Sequence, residues 1–161
     1  MRKIYIVGDI SYNNYALFTE RMTELESEGD EDIIVELTSD GGDSYVSLAY
    51  VGRIRKSKCI VRIVGNGYIA SAAVLILAAG DRRAMTSESW LMVHEEAGEV
   101  NGNVALKEIE IKQLRRMEEQ ADNALSSWSK VSASQWKEFH KQTTYFTAHE
   151  CFKMGLIDEV I

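Results

Sequence analysis

Short apolar runs separated by helix-like stretches set the pattern of the first half of the chain. Residues 4–7, 33–37 and 59–64 are rich in β-branched and other apolar side chains, which predicts three strands. The run at 33–37 is almost continuously apolar, so we expect it to be covered on both faces. The stretches between the strands have helical spacing, and the resulting β-α-β-α-β-α order predicts an α/β fold with a parallel sheet.

The first two predicted helices follow from caps and apolar spacing. Asn13 or Asn14 is expected to cap the first helix, which ends near Gly29. Its predicted inward face comprises Leu17, Phe18, Met22 and Leu25. A second helix is predicted over residues 44–56, directly after a loop that carries Gly41 and Gly42.

The stretch from Gly65 to Gly80 holds the most informative pattern. Gly65 and Gly67 predict a sharp turn after the third strand, and residues 70–79 form an apolar helix in which Ser71 is the only polar residue. This helix is too short to span a bilayer. Ser71 falls in its first turn, where free N–H groups and the helix dipole favour negative charge. A serine there is commonly an N-cap or a small packing residue, and the same position also suits a nucleophile.

The second half predicts mainly helices. Short strands are expected at 84–85 and 90–93, followed by a flexible segment at 97–103 and a long helix over 104–130. Part of that helix is expected to bury its apolar stripe against another subunit, with a coiled-coil dimer as the simpler alternative. Further predictions are a helix beginning near Ser132, a capping box from Thr147 to Glu150, and a strand-like tail at 156–161.

Composition narrows the class of protein. The 161 residues are 45% apolar and 27% charged, with a net charge of −7, which argues against nucleic-acid or anionic-membrane partners. Cys59 and Cys151 predict core thiols, and the histidines lack ligand spacing, so we expect no metal and no cofactor. His140 and His149 are expected at the surface or in caps. Residues 1–3 lead directly into a strand pattern, so we expect no signal peptide and a cytoplasmic location.

Three features suit acyl-transfer chemistry. A serine hydroxyl needs a base, and His94 ends the predicted strand 90–93. A tetrahedral intermediate needs backbone N–H donors, which a Gly-Gly loop and the residue after the serine can supply. The flanks of Ser71 lack the Gly-x-Ser-x-Gly pattern, so an α/β-hydrolase is not expected.

Four motifs follow one another along the chain. They are Ser39-Asp40-Gly41-Gly42, Gly67-Tyr68-Ile69-Ala70-Ser71, Met92-Val93-His94, and Thr147-Ala148-His149-Glu150 through Gly155-Leu156-Ile157-Asp158. In this order they resemble the Ser-Pro-Gly-Gly loop, the Gly-x-Ala-Ala-Ser nucleophile motif, the Met-Ile-His base motif and the C-terminal ending of the proteolytic subunits of the Clp protease (ClpP), and the resemblance covers nearly the whole chain.

The resemblance implies a role for each matching position. Ser71 would be the nucleophile, His94 the base, and the N–H groups of Gly42 and Ala72 the oxyanion hole. An extended substrate would pair with the edge between Gly41 and Asp43. The implied fold is the ClpP/crotonase-like repeated spiral, as a single domain over residues 1–161 with a protruding handle helix at about 95–130.

The sequence departs from the family at the third triad position, at its start and in the handle, which reads Glu95-Glu96-Ala97-Gly98 where the family has Gln-Pro and paired glycines. The third triad member, an acid in the family, falls on Thr143, which can orient an imidazole but cannot stabilise its cation electrostatically. The chain also begins almost at the first core strand, without the segment that in the family contacts an AAA+ unfoldase, which argues against docking to such a partner.

The predicted function is therefore a ClpP-like serine endopeptidase that cleaves unfolded chains or peptides inside a self-assembled chamber. The resemblance implies heptameric rings that can stack as a tetradecamer. Thr143 motivates an alternative, a weak or inactive ring subunit that assembles with an active ClpP homologue. A crotonase-like acyl-CoA enzyme is a third reading, and it requires carboxylates near the oxyanion loops and cations for the CoA phosphates.

Overall fold

The computed structural model describes residues 2–97 and 101–161. Its strands are β1 (Lys3–Val7), β2 (Ile33–Ser39), β3 (Val61–Ala70), β4 (Arg82–Met85), β5 (Trp90–Val93), β6 (Thr144–Thr147) and β7 (Glu159–Val160). Its helices are α1 (Tyr12–Glu28), α2 (Ser44–Arg55), α3 (Ala72–Ala78), α4 (Val104–Ser127), α5 (Ala133–Gln142) and α6 (Ala148–Lys153).

A seven-stranded, mostly parallel sheet organises the molecule. Its strand order is β1-β2-β3-β4-β7. Strand β5 pairs with the C-terminal part of β3 on one edge and with β6 on its other edge. Every pairing is parallel except the antiparallel pairing of β5 with β6. The predicted α/β class with a parallel sheet is confirmed.

Strand β2 is covered on only one face within the chain. Burial alternates along it, with Ile33, Val35 and Leu37 fully buried and the residues between them only half-buried. Glu36, on the more open face, forms an ion pair with Lys3 of the neighbouring β1. The expectation that both faces are covered is therefore wrong, because the charged pair needs solvent on that side.

Strand β3 continues through the two glycines that were expected to form a turn. It pairs with β4 as far as Gly65 and then with β5 from Tyr68 to Ala70. A side chain at Gly65 would come within 2.8 Å of the Ile69 side chain, and Gly67 has a φ of +75°. Gly65 and Gly67 therefore lie within an irregular strand rather than in a turn. The strand ends just before Ser71, which stands at the junction of β3 and α3.

The helix predictions hold with shifts at the ends. Helix α1 is capped by Ser11 rather than by Asn13 or Asn14, and Asn14 instead donates to the Asp9 carbonyl oxygen. Leu17 is 65% exposed, so its expected inward position is wrong. The capping box at the start of α6 is confirmed, whereas β6 was not predicted.

Helix α4 is long, amphipathic and largely exposed over its first half. Leu106, Ile109 and Ile111 are exposed, whereas Met117 and Leu125 are buried. The contact of this helix with another subunit stays a prediction. The predicted flexible segment 97–103 includes residues 98–100, which lie outside the described residues.

The buried core lies mainly between the sheet and helices α1, α2 and α3. Cys59 and Cys151 are buried free thiols, as expected, and burial raises the pKa of Cys151 to about 12. In the part of the chain that the structure describes, no helix has both the length and the apolar character needed to cross a membrane.

Candidate active site

Ser71 stands on a strained turn between β3 and α3. Its φ of 54° and ψ of −127° place it in a region that L-residues rarely occupy, and its N–H donates to the Met92 carbonyl oxygen at 2.9 Å. It occupies the N-cap position of α3, but its side chain accepts no capping hydrogen bond. Ser71 therefore does not cap α3 with its side chain, and its hydroxyl is not engaged in a helix-capping hydrogen bond.

The Gly41–Gly42 segment lies directly against this turn. A Cβ atom at Gly41 would lie 2.7 Å from the Ser71 Cβ and 3.2 Å from the Ser71 Oγ. A Cβ atom at Gly42 would lie 2.5 Å from the carbonyl oxygen of Ile10. Both glycines have positive φ, so these two positions favour glycine for conformation and for space.

One edge of the predicted substrate-binding segment is already paired inside the chain. The Gly41 carbonyl oxygen accepts from the Ile10 N–H at 2.8 Å, and the Asp43 N–H donates to the Ile10 carbonyl oxygen at 2.9 Å. The Asp43 carboxylate caps α2 by accepting from the N–H groups of residues 45 and 46. Gly42, which is exposed, presents its own backbone groups to the opposite edge.

Ala72 begins α3 and is almost fully buried. As the first helical residue, it has an N–H group without an intrahelical acceptor. Its carbonyl oxygen accepts from the buried Ser47 hydroxyl at 2.7 Å, which ties the start of α3 to α2. This contact holds the peptide that follows Ala72, one residue beyond Ser71.

Ser71 and His94 line one narrow cavity, of about 40 Å³, between α3, α4 and α5. Both side chains are half-buried. No hydrogen bond joins them in the structure of residues 2–97 and 101–161. Nucleophile–base contacts are often loose without substrate, so this geometry is compatible with a Ser–His pair. The cavity is also lined by Ser44, Ala72, Val74, Leu75, Glu96, Glu118, Ala121, Leu125 and His140.

Thr143 follows α5 in a left-handed conformation with a φ of 51°. Val93 pairs with Thr144 across the β5–β6 ladder, so the antiparallel register carries Thr143 alongside His94. Thr143 is exposed and does not line the cavity. Among the described non-glycine residues, only Ser71 and Thr143 have a positive φ.

His140 was expected at the surface or in a cap, and that expectation is wrong. Its side chain is 18% exposed, lines the cavity with Ser71, and places its Nδ1 atom 2.9 Å from Asp122 Oδ1. The same Nδ1 is 2.9 Å from the Trp136 carbonyl oxygen, with better hydrogen-bond geometry than toward the carboxylate. Burial raises the pKa of Asp122, and the nearby imidazole opposes that rise.

Sequence reasoning missed the groups that α4 and α5 bring to the cavity. Asp122, which contacts His140 but does not itself line the cavity, is a charged residue within the buried stretch of α4, between Met117 and Leu125. That break in the apolar stripe is a signal for a buried polar partner. Nothing in the sequence identified the partner as His140, because the pairing depends on how α4 packs against α5. Within the described ranges, no cluster of three or more His, Cys, Asp or Glu residues could hold a metal ion.

Comparisons with known proteins identify the family and the fold. The family model described as Clp protease matches residues 1–161. The chain belongs to the Clp protease family. Its structure is also similar to that of a mutant ClpP1 from Listeria monocytogenes, with a TM-score of 0.91 and 25% sequence identity, over 99% of this chain and 91% of that one. The fold is therefore the ClpP fold, and the family is one of serine peptidases.

The family match also bears on the acyl-CoA reading. The structure brings the carboxylates of Glu96 and Glu118 to the cavity beside Ser71, which meets one requirement of a crotonase-like enzyme. The whole-chain match to the Clp protease family nevertheless favours peptide hydrolysis.

Proposed function

We propose that the protein is a serine endopeptidase that hydrolyses peptide bonds of unfolded proteins or peptides inside a chamber built from its own copies. Ser71 attacks the scissile carbonyl carbon, and His94 takes the hydroxyl proton and later delivers it to the leaving amine. Water then attacks the acyl-enzyme with His94 again as base, which releases the second product and restores the serine.

The observation that carries this proposal is the conformation of Ser71. A non-glycine residue with a φ of 54° at a strand-to-helix turn, with a hydroxyl that caps no N–H, fits a serine held for attack. Ser71 and His94 line the same cavity, which supports His94 as the base.

The oxyanion hole is assigned to the N–H groups of Gly42 and Ala72. Support comes from Ala72 being the first residue of α3, and from the Gly41–Gly42 segment packing against Ser71. The backbone groups of Gly42 on the edge opposite Ile10 are the proposed pairing site for an extended substrate.

Members of the family assemble into rings, and we assign the exposed first half of α4 to contact between rings. The apolar side chains of Leu106, Ile109 and Ile111 support this assignment. Heptameric rings stacked as a tetradecamer are the proposed assembly of this single-domain chain, and the two free thiols support work in the cytoplasm.

The alternative is a weak or inactive ring subunit that assembles with an active homologue. Thr143 favours it, because a threonine beside His94 offers no negative charge to the imidazolium that forms during attack. The two proposals differ in whether Ser71 reacts.

Labelling of the assembled protein with a fluorophosphonate probe tests the proposal. We expect the wild type to be labelled and both Ser71→Ala and His94→Ala to lose the label. Absence of labelling in a well-assembled wild type would favour the structural subunit.

Two substitutions at Thr143 separate charge from backbone conformation. Asp and Asn tolerate the left-handed region better than a β-branched residue, so both variants should relieve strain equally. Only Thr143→Asp adds a carboxylate, and we expect it to raise the labelling rate by at least about tenfold over Thr143→Asn. Equal rates for the two variants would show that position 143 does not act on His94 through charge.

A further inference from the structure

Two carboxylates face the cavity beside Ser71 and are held in place. The Ser44 hydroxyl lies 2.8 Å from each carboxylate oxygen of Glu96, and the Glu96 N–H donates to Glu118 Oε1 at 2.8 Å. Both residues are half-buried and line the same cavity as Ser71 and His94. The two acids are thus fixed next to the proposed nucleophile.

No lysine or arginine lines this cavity, and in the described residues neither Glu96 nor Glu118 takes part in an ion pair. The other titratable groups that line it are His94 and His140. His140 places its Nδ1 atom against the Asp122 carboxylate and the Trp136 carbonyl oxygen. Among the described residues, the cavity therefore presents two carboxylates without a lysine or arginine partner.

The remaining walls of the cavity are apolar. They consist of Ala72, Val74, Leu75, Ala121 and Leu125. Lysine and arginine combine an apolar stem with a cationic head, which matches a pocket with aliphatic walls and acidic groups.

A cationic side chain is the natural complement of these two carboxylates. Attraction between opposite charges is stronger in a partly dehydrated site than in bulk water. In trypsin-like enzymes, an acidic residue in the pocket beside the nucleophile selects basic side chains by the same physics.

We propose that the cavity lined by Glu96 and Glu118 binds the lysine or arginine side chain that precedes the scissile bond. This inference rests on the proposed peptidase function, because it assigns the specificity of that same site. Glu96 and Glu118 are specificity residues in this proposal, and they take no part in bond cleavage.

The test measures binding, so it does not need turnover. Assembled Ser71→Ala protein is titrated with two fluorescent product peptides that end in lysine or in norleucine, which has a similar unbranched stem without the charge. The free C-terminal carboxylate fixes which side chain lies next to residue 71. We expect the lysine peptide to bind at least about tenfold tighter, as one charge-assisted contact provides.

Matched variants locate the effect. Glu96→Gln and Glu118→Gln in the same background should each reduce the lysine-to-norleucine ratio severalfold, because the amides keep the size and lose the charge. Glu119→Gln, at an exposed neighbouring position outside this cavity, should leave the ratio unchanged. A ratio of one or less, or a ratio that both cavity variants leave intact, would overturn the inference.

The outcome is separable from that of the proposed function. Fluorophosphonate labelling of the wild type reports whether Ser71 reacts, whereas the peptide ratio reports only what the cavity binds. A reactive Ser71 together with a preference for norleucine would support the proposed peptidase function and refute the proposed preference for lysine or arginine. An unreactive Ser71 together with a preference for lysine would refute the peptidase function and support the proposed binding preference.

Discussion

The contact between Gly41 and Ser71 allows the sharpest test of the site geometry. In Gly41→Ala, the new Cβ would lie 2.7 Å from the Ser71 Cβ and 3.0 Å from the Ala70 carbonyl oxygen. Ordinary contact begins near 3.4 Å, so the serine turn must move by about 0.7 Å, the difference between 3.4 and 2.7 Å. The φ of +110° adds strain for any L-residue.

The expected cost of Gly41→Ala has two parts. Strain at positive φ costs about 1–2 kcal/mol, and overpacking against a well-packed neighbour costs about 1–3 kcal/mol. The sum, about 2–5 kcal/mol, corresponds to a fall in Tm of about 4–20 °C for a chain of this size. Displacement of the nucleophile should also slow fluorophosphonate labelling of Ser71 by about 100-fold.

Two other glycines serve as matched controls. Gly8 has a φ of +81° with nothing within 4 Å of an added Cβ, so Gly8→Ala isolates the conformational strain. Gly52, within α2, has neither positive φ nor a close neighbour, so Gly52→Ala should stabilise the protein by about 0.5–1 kcal/mol. All variants are compared by thermal unfolding at one protein concentration and by labelling rate. If Gly41→Ala matched Gly8→Ala in both, the contact with Ser71 would be refuted.

Two further substitutions test contacts that hold the helices around the site. Arg53→Met removes a bidentate pair with Glu26, at 2.8 and 2.9 Å, and should destabilise the fold by about 1–2 kcal/mol at pH 7. The arginine lowers the pKa of Glu26, so this stabilisation is present above the ordinary value of 4.5 and is lost as pH falls through the lower folded value. Urea unfolding should therefore show the difference between wild type and variant closing in acid; a constant difference would contradict this assignment. Ser47→Ala removes the buried bond to the Ala72 carbonyl oxygen and should cost about 1 kcal/mol and slow labelling, whereas an unchanged labelling rate would mean that the bond does not position the serine turn.

Much of the fold follows from local pattern, and the errors have tertiary causes. Periodicity predicted α2 and α4 to within a few residues, and Thr147 with Glu150 predicted the start of α6. Gly65 and Gly67 were misread as a turn, because glycine signals equally a turn and an irregular strand that changes partners from β4 to β5. The partner strand β5 comes later in the chain, so no local rule could reveal it.

Some residues of the candidate site could also be predicted from local sequence pattern, whereas others depend on tertiary packing. Ser71 and His94 were predictable because each stands at the end of a strongly patterned element, and family resemblance assigned them roles. Glu118 and His140 were not, since each looks like an ordinary polar residue of an amphipathic helix. Their place in the cavity depends on the packing of α4 and α5, which periodicity alone does not determine.

The two residues that the motif resemblance places at the ends of a triad both have a strained backbone in the structure. The motif resemblance selected Ser71 and Thr143 as the first and third members of a triad, and these are the two non-glycine residues with positive φ among those described. Such strain persists only where surrounding structure holds it, and it concentrates at functional positions. At Ser71 the strain orients a hydroxyl, so it has a use in the proposed reaction. At Thr143 a φ of 51° falls on a β-branched residue that suits it poorly, so the conformation there is set by the fold rather than by the side chain. Thr143 therefore has a strained backbone beside His94, the proposed base, and brings no carboxylate there, which is why Thr143→Asp is the substitution that tests its proposed role.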